Sequence, residues 1–481
     1  TNIATLAMNH NGGALTIDGT SGNDTFDVTP LTAMTARVQL NAASPIVTTS
    51  GAGSLTISSA GGGSDRLTVN GTDGPDTNFV VNVPSRTITV GPLKSVSYTA
   101  ANIDNLVVNG RGGADTFVVT PGVEPVFIDG GDPIGMGDKL TVIAATTSIL
   151  TPGPENDEGS FVVDGQQPVS FDHMEAVAVT GPATGSALAI TVMGTGGDDQ
   201  FTAIGKGAAD VDVQVNNGLI VSYLNIAALT LQGKNGDDDF DIDVNQLTSI
   251  ALTVDGGDPS TDGDTVTVTG NTGADAANFT PNAVDGGTLT IAGLNGTATP
   301  TANRINLLNV ERLIYDGENE NETLTVTSAA GAARTLTHRD GTAADAGSLQ
   351  VGNWLAIEYV SLELTGSLDL NDADATDDDR LIYIGSNGDD VFGVTGAGDV
   401  QRTGHVLVNV ADLAGLTLQL LSGNDAVSVA PSALFAGGIR IEAGDSDSTG
   451  DTVTVTGEHR ARSGGGDHLG RRWRYDPAGQ C

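Results

Sequence analysis

One turn recurs along this chain, and it constrains the fold more than any other feature. The frame G-x-x-G-x-D-x-F stands in five strict copies, at Gly19–Phe26, Gly110–Phe117, Gly194–Phe201, Gly233–Phe240 and Gly385–Phe392. Each copy reads as the end of one strand, a tight glycine turn, an inward aspartate and the start of the next strand. A chain that repeats one turn is a repeat protein. That overrides the three or more separate domains that 481 residues would otherwise suggest.

Around the turns, apolar residues alternate over four to six positions, as in Leu229-Thr230-Leu231 and Thr265-Val266-Thr267-Val268. Period two marks strands with one buried face. No capped segment with helical periodicity stands out. The 66 glycines, the 4% of aromatics and the Val, Thr, Ile and Leu content suit short strands joined by glycine turns. Aligning turn on turn sets Val107 beside Phe127, in strands that start 20 residues apart. That length suits one coil of two strands and two turns, each strand lying parallel on the one a coil earlier. The expected fold is all-β, a parallel β-solenoid or β-roll-like array. A string of small antiparallel sandwiches is the alternative. It predicts two-residue Asn-Gly or Asp-Gly hairpins, whereas most turns here are longer. Trp354, Tyr98, Tyr223, Tyr315, Tyr359 and Tyr383 fall mostly at strand positions and read as core or sheet face.

Larger units of roughly 70 residues appear once the turns are aligned. They run over 71–143, 194–269 and 385–457. Residues 1–70 read as a truncated unit, 144–193 as a degenerate coil with a loop insertion, and 270–384 as degenerate units. The Ala-, Thr-, Gly- and Pro-rich stretches near 144–160 and 328–347 read as inserted loops. The acidic run from Asp369 to Asp379 lacks the glycine and closing Glu of an EF-hand and reads as a solvated loop. Residues 458–481 break the pattern. They hold Arg460, Arg462, Arg471, Arg472, Arg474, Trp473 and Cys481, and read as an aberrant basic tail, disordered and foreign to the array.

The balance of 60 acidic against 20 basic residues leaves a net charge of −40. Phosphate binding needs clustered Lys and Arg, so nucleic acid is not an expected partner, and the same holds for an anionic membrane surface. No apolar run approaches a membrane span. Cys481 is the single cysteine, which leaves no disulfide framework and no thiolate metal site. The start at Thr1-Asn2-Ile3 reads as that of a fragment or mature piece.

A charge of this size opposes compaction unless cations neutralise it or the acids spread along an extended body. The turn G-x-x-G-x-D resembles the hemolysin-type (RTX-like) calcium-binding repeat, G-G-x-G-x-D-x-U-x, with Phe26, Phe117, Phe201, Phe240 and Phe392 at the large apolar position U. The resemblance implies a parallel β-roll with Ca²⁺ held in its turns. The chemistry is coherent. Glycine backbone turns carbonyl oxygens toward one point, Asp adds a hard carboxylate, and Ca²⁺ takes six to eight oxygens. One departure stands out: the family carries its turns in tandem, whereas these copies lie dozens of residues apart. A partner turn follows in the sequence. Asp132 and Asp138 follow Asp115, Asp258 and Asp264 follow Asp238, and Asp445 and Asp451 follow Asp425, six apart in each pair. The candidate metal ligands are therefore Asp24, Asp76, Asp115, Asp132, Asp138, Asp199, Asp238, Asp258, Asp264, Asp390, Asp425, Asp445 and Asp451. The competing explanation is that Asp and Gly are what tight turns use, the carboxylate bonding nearby backbone N–H groups.

Catalysis finds no support. The six His are scattered, no H-E-x-x-H or G-x-S-x-G is present, and the acid-rich sites are repeated where an active site is normally unique. The units are also similar to those of large repetitive bacterial surface proteins. The expectation is a secreted or cell-surface, acidic, elongated array in a structural or adhesive role, with calcium as its cofactor and surface or matrix components as partners. A metal-independent acidic spacer, or an accessory array of a larger secreted enzyme, is the alternative.

Overall fold

A computed structural model describes residues 5–456, apart from 43, 52, 60, 100–102, 133–136, 183–186, 248, 260, 293–303, 319–320, 375–377, 411–412, 431–434 and 447–449. The 458–481 tail lies outside the described residues. The described chain contains strands and no helix. It divides into two units, Thr1–Lys234 and Asn235–Cys481. Each is a mostly parallel two-sheet β-solenoid.

The coil is as short as the sequence requires. Asn105–Asn109 lies in the first sheet, the chain turns a corner through Gly110–Asp115, and Thr116–Thr120 lies in the second. Val126–Asp129 then returns to the first sheet, parallel to Asn105–Asn109 with Val107 opposite Phe127. Lys139–Ile143 stacks likewise on Thr116–Thr120, with Phe117 opposite Leu140. Along each strand the residues alternate between buried and half-buried. The inward residues of the two sheets meet in one continuous core per unit. Each motif Phe is buried in it, as are Tyr223, Tyr315, Tyr359 and Tyr383.

The stack is not a uniform spiral. At intervals one sheet receives a three-stranded antiparallel meander. Thr25–Thr32, Thr35–Leu40 and Ile46–Ser50 form the first, in the first sheet. Its leading strand pairs forward with Arg66–Asn70 and its last strand pairs back with Thr5–Asn9. The next, Thr77–Asn82, Thr87–Val90 and Val96–Tyr98, lies in the second sheet. The meanders continue to alternate between sheets in both units. The stretches expected as inserted loops are two of them. Thr147–Pro152 pairs antiparallel with Gly159–Val163, and Thr335–Asp340 with Gly347–Val351. Their weak alternation hid these strands. Most of the acidic run is also ordered: Ser367–Asp372 is a strand with Leu368 and Leu370 buried, and Asp379 is buried at a corner.

The pleat assigns opposite roles to two phenylalanines. Phe117 is buried and stacks on Phe79 at 5.1 Å between ring centroids. Phe127 points outward and is 37% exposed. Phe117→Ala is expected to cost about 3–5 kcal/mol, and Phe127→Ala about 0.5 kcal/mol or less, read as shifts of the urea midpoint.

Candidate functional site

At each corner the chain leaves one sheet and enters the other. The residue before the new strand has an N–H with no place in the sheet ladder. The acid at the same corner of the neighbouring coil accepts it. Asp76 N–H donates to Asp115 Oδ1 at 2.7 Å, Asp115 N–H to Asp138 Oδ1 at 2.7 Å, and Asp138 N–H to Glu175 Oε2. At the other corner of the same unit, Asp24 N–H donates to Asp65 Oδ1 and Asp65 N–H to Asp104 Oδ2, both at 2.7 Å. The second unit repeats the device. Asp238 N–H bonds Asp264 Oδ1 at 2.8 Å and Asp264 N–H bonds Glu311 Oε2 at 2.7 Å. Asp390 N–H bonds Asp425 Oδ1 at 2.8 Å and Asp425 N–H bonds Asp451 Oδ1 at 3.0 Å. The corner acids thus form ladders, one carboxylate per coil.

Two kinds of rung exist. The acids that lead into meanders, Asp24, Asp76, Asp199, Asp275 and Asp390, each receive at Oδ2 the N–H of the residue four positions earlier. The donors are Thr20, Thr72, Thr195, Asn271 and Ser386, at 2.5–2.7 Å. Their Oδ1 atoms have further partners: Asn41 Nδ2 on Asp24 at 2.8 Å, Asn216 Nδ2 on Asp199, and Arg402 Nη1 on Asp390 at 2.8 Å. On Asp24 burial raises the carboxyl, but the bonds from Asn41 and Thr20 outweigh it and hold the group below 3.8. On Asp275 burial outweighs the bonds from Asn271.

The acids before single strands differ. At Asp115, Asp138, Asp264 and Asp425 the equivalent donor position is Arg111, Gly131, Gly257 or Leu421. All four take left-handed backbone, with φ of 75°, 92°, 110° and 66°. Oδ2 receives no N–H there and is buried without a partner; Arg111 N–H goes to Asn109 Oδ1 instead. Burial pushes Asp115 up to about 7, with the Asp138 and Asp76 charges adding to it. Burial, with Glu311, Asp237 and Asp255 nearby, pushes Asp264 up to about 6. Asp138 rises through burial and the Glu175 and Asp129 charges, and Asp425 through burial and the Asp390, Asp451 and Asp389 charges.

The stacked partners expected for Asp115, Asp238 and Asp425 divide by position. Asp138, Asp264 and Asp451 join the ladders. Asp132 and Asp258 point outward and contribute backbone. Asp132 donates to the Arg111 carbonyl at 2.8 Å and accepts from Gly113 N–H at 3.2 Å, and Gly236 N–H reaches the Asp258 carbonyl at 3.4 Å. Asp445 lies in a short strand paired with Ser422–Gly423. Sequence reading missed the rungs Asp65, Asp104, Glu175, Glu311 and Asp379, which lack the glycine frame. Their one signal is an acid immediately before an alternating strand.

Among the described residues no group of three or more His, Cys, Asp or Glu side chains that could hold a metal ion is present. One polar cluster beside the Asp390 corner was also missed. Arg402 joins Asp390 and Asp340, with Nε 2.9 Å from Asp340 Oδ2, and Tyr383 donates to Asp340 Oδ1 at 2.8 Å. His338 Nε2 lies 2.8 Å from the Tyr359 hydroxyl, and burial lowers this His to about 3, leaving it neutral. The cluster ties the two sheets of the second unit together. No protein-family model matches the chain, and no curated protein matches it.

Two measurements test the ladder. A Cβ at Gly71 would lie 2.5 Å from Asp76 Oδ2 and 2.8 Å from the Gly110 carbonyl oxygen, whereas one at Gly74, in the same turn, meets nothing within 4 Å. Gly71→Ala is expected to cost about 1–3 kcal/mol or more, and Gly74→Ala about 0.5 kcal/mol or less. The second measurement is stability against pH. Asp115 and Asp264 titrate at about 7 and about 6 in the folded chain, against an ordinary 3.8. Between those values the folded state holds more protons than the unfolded one, so stability falls as pH rises. His173, raised by its bond to Asp129, acts in the same direction. Melting temperature is expected to decline from about pH 5 to about pH 8. Asp115→Asn with Asp264→Asn is expected to flatten that decline, because an amide keeps the Oδ1 acceptor and carries no charge.

Proposed function

We propose that the chain is a non-catalytic structural β-solenoid of a secreted or cell-surface protein, in a structural or adhesive role. One observation carries this reading. The acid-rich positions recur at corner after corner and are bonded to the backbone of the next coil, so they serve the stack itself. The Asp340–Arg402–His338 cluster supports it too, since His338 and the Asp340 side chain are buried and bonded within the unit rather than facing a substrate. The acidic surface keeps such a module soluble and excludes nucleic acid as a partner.

Calcium rigidification is the second reading. The unpartnered buried Oδ2 atoms of Asp115, Asp138, Asp264 and Asp425 favour it. A cation beside them would relieve the repulsion along each ladder, and high extracellular calcium would then lock the coils.

Thermal unfolding by circular dichroism separates the two, run in EDTA, in millimolar CaCl₂ and in MgCl₂ at equal ionic strength. The structural reading expects superimposed curves. An ion bound only by the native state stabilises it by about 2.7 kcal/mol at 100 times its Kd. A calcium-specific rise, or a chain that is unfolded in EDTA, replaces the first reading with the second.

A further inference from the structure

At three places among the described residues, a meander of the first sheet lies across the core from a meander of the second. The chain does not cross between the sheets there, and two hairpin loops face each other in place of a corner. Two of these edges are sealed. At the first, loop 91–95 bonds the end of Thr25–Thr32, Lys94 N–H donating to the Thr32 carbonyl at 2.9 Å. The Lys94 side chain is buried, with Nζ 2.9 Å from the Gly51 carbonyl oxygen and 2.6 Å from that of Gly53. At the third, Leu355 N–H donates to the Ala283 carbonyl at 2.8 Å, and Leu355 is buried in the same way. Lys94 and Leu355 hold one position, two residues before the strands Val96–Tyr98 and Ile357–Val360.

The second edge, wholly within the first unit, is open. Leu219 holds the equivalent position there, two residues before Val221–Leu224, and is only half-buried. Among the described residues no hydrogen bond joins its loop, 216–220, to the facing loop, 153–158. That facing loop has six residues where its two counterparts, 33–34 and 284–285, have two. It is held back toward the neighbouring corner, Met174 N–H donating to the Asp157 carbonyl at 3.1 Å. A cavity of about 300 Å³ is left in the edge of the core. Leu150 and Phe171 wall it from the first sheet, and Val213, Val215 and Val221 from the second. Glu155, exposed, and Glu158, half-buried, stand at its mouth. Asp157 and Glu175 line the adjoining opening, and neither Lys nor Arg lines either one.

We propose that this cavity binds a small primary ammonium compound with a compact apolar body. The volume is that of a small-ligand site, apolar in its walls with a few polar groups that fix orientation. The walls cover the apolar body, and the carboxylates at the mouth accept the ammonium N–H donors in charge-assisted bonds. Glu158 Oε1 accepts the Glu155 N–H at 2.8 Å, which fixes that carboxylate in place. The chain itself shows the fit: at the first edge an alkyl stem fills the equivalent gap and its ammonium ends on oxygen acceptors. Anions of the same shape are repelled by the four acids.

Titration calorimetry of the full chain tests this with three probes of one shape: 2-phenylethylammonium, the neutral 2-phenylethanol and the anion phenylacetate. The ammonium is expected to bind saturably at millimolar concentration or below, about tenfold or more tighter than the alcohol. Its affinity is expected to fall as salt rises, and phenylacetate is expected not to bind. Glu155→Gln with Glu158→Gln is expected to bring the ammonium to the affinity of the alcohol. Leu219→Lys puts into this gap what Lys94 puts into the first, and is expected to abolish binding of both. Circular dichroism verifies that each variant folds. A wild type that shows no saturable binding of the ammonium overturns the proposal, as does one that binds the alcohol equally well. Wild-type affinity in either variant overturns it too.

Discussion

The hydrogen bond from one corner acid's N–H to the next coil's carboxylate holds the architecture to its form. A chain that bends sharply between two sheets leaves a backbone donor pointing along the stack. A charged or carboxylic acceptor one coil away satisfies it, and such bonds are about twice as strong as neutral ones. The rest of the motif follows from that contact. The carboxylate folds back over a corner glycine that leaves no room for a Cβ, as at Gly71 over Asp76 and Gly130 over Asp138. The second residue after the acid, or after Asp76 the third, then points inward, as Phe117 and Phe79 do, and an apolar side chain fills the core there.

The ladders carry an electrostatic cost. Stacked carboxylates are buried, and like charges one coil apart raise each other. Asp24, Asp199, Asp275 and Asp390 take two or more donors each and Asp76 takes the Thr72 N–H, and at Asp24 the donors outweigh burial. The acids before single strands give up one donor, because the residue after the corner glycine, or its counterpart Leu421, is left-handed. Thr, whose branched Cβ disfavours that conformation, holds the donor position at Asp24, Asp76 and Asp199, while Gly, Arg or Leu, none of them branched at Cβ, holds the left-handed position before Asp115, Asp138, Asp264 and Asp425. Arg402 shows a third solution. It supplies charge to Asp390 where Asn41 and Asn216 supply amides to Asp24 and Asp199.

The meanders explain why the turns look isolated in the sequence. A three-stranded excursion separates successive corners by about forty residues, as between Asp76 and Asp115, although the corners touch in space. Direct coils separate them by fewer, as between Asp115 and Asp138. Sequence distance is therefore a poor guide to which aspartates are neighbours here.

Composition, period-two alternation and the recurring glycine–aspartate frame determined by themselves that the chain is an all-β stack of short coils. They also placed Val107 beside Phe127, because a parallel stack repeats inward positions at the coil length. The frame likewise marked Asp24, Asp76, Asp115, Asp199, Asp238 and Asp390 as corner residues. Only the tertiary structure decided what those carboxylates do. Asp115 accepts the Asp76 N–H from 39 residues away, while the N–H groups of Asp24 and Asp115 go to Asp65 and Asp138, 41 and 23 residues away, and no local pattern records which coil will lie against which. It also decided that Glu175 and Glu311, with no glycine frame, stand in the same ladders. The weakly alternating stretches near 150 and 340 became paired strands for the same reason: their order comes from neighbouring coils rather than from their own propensity.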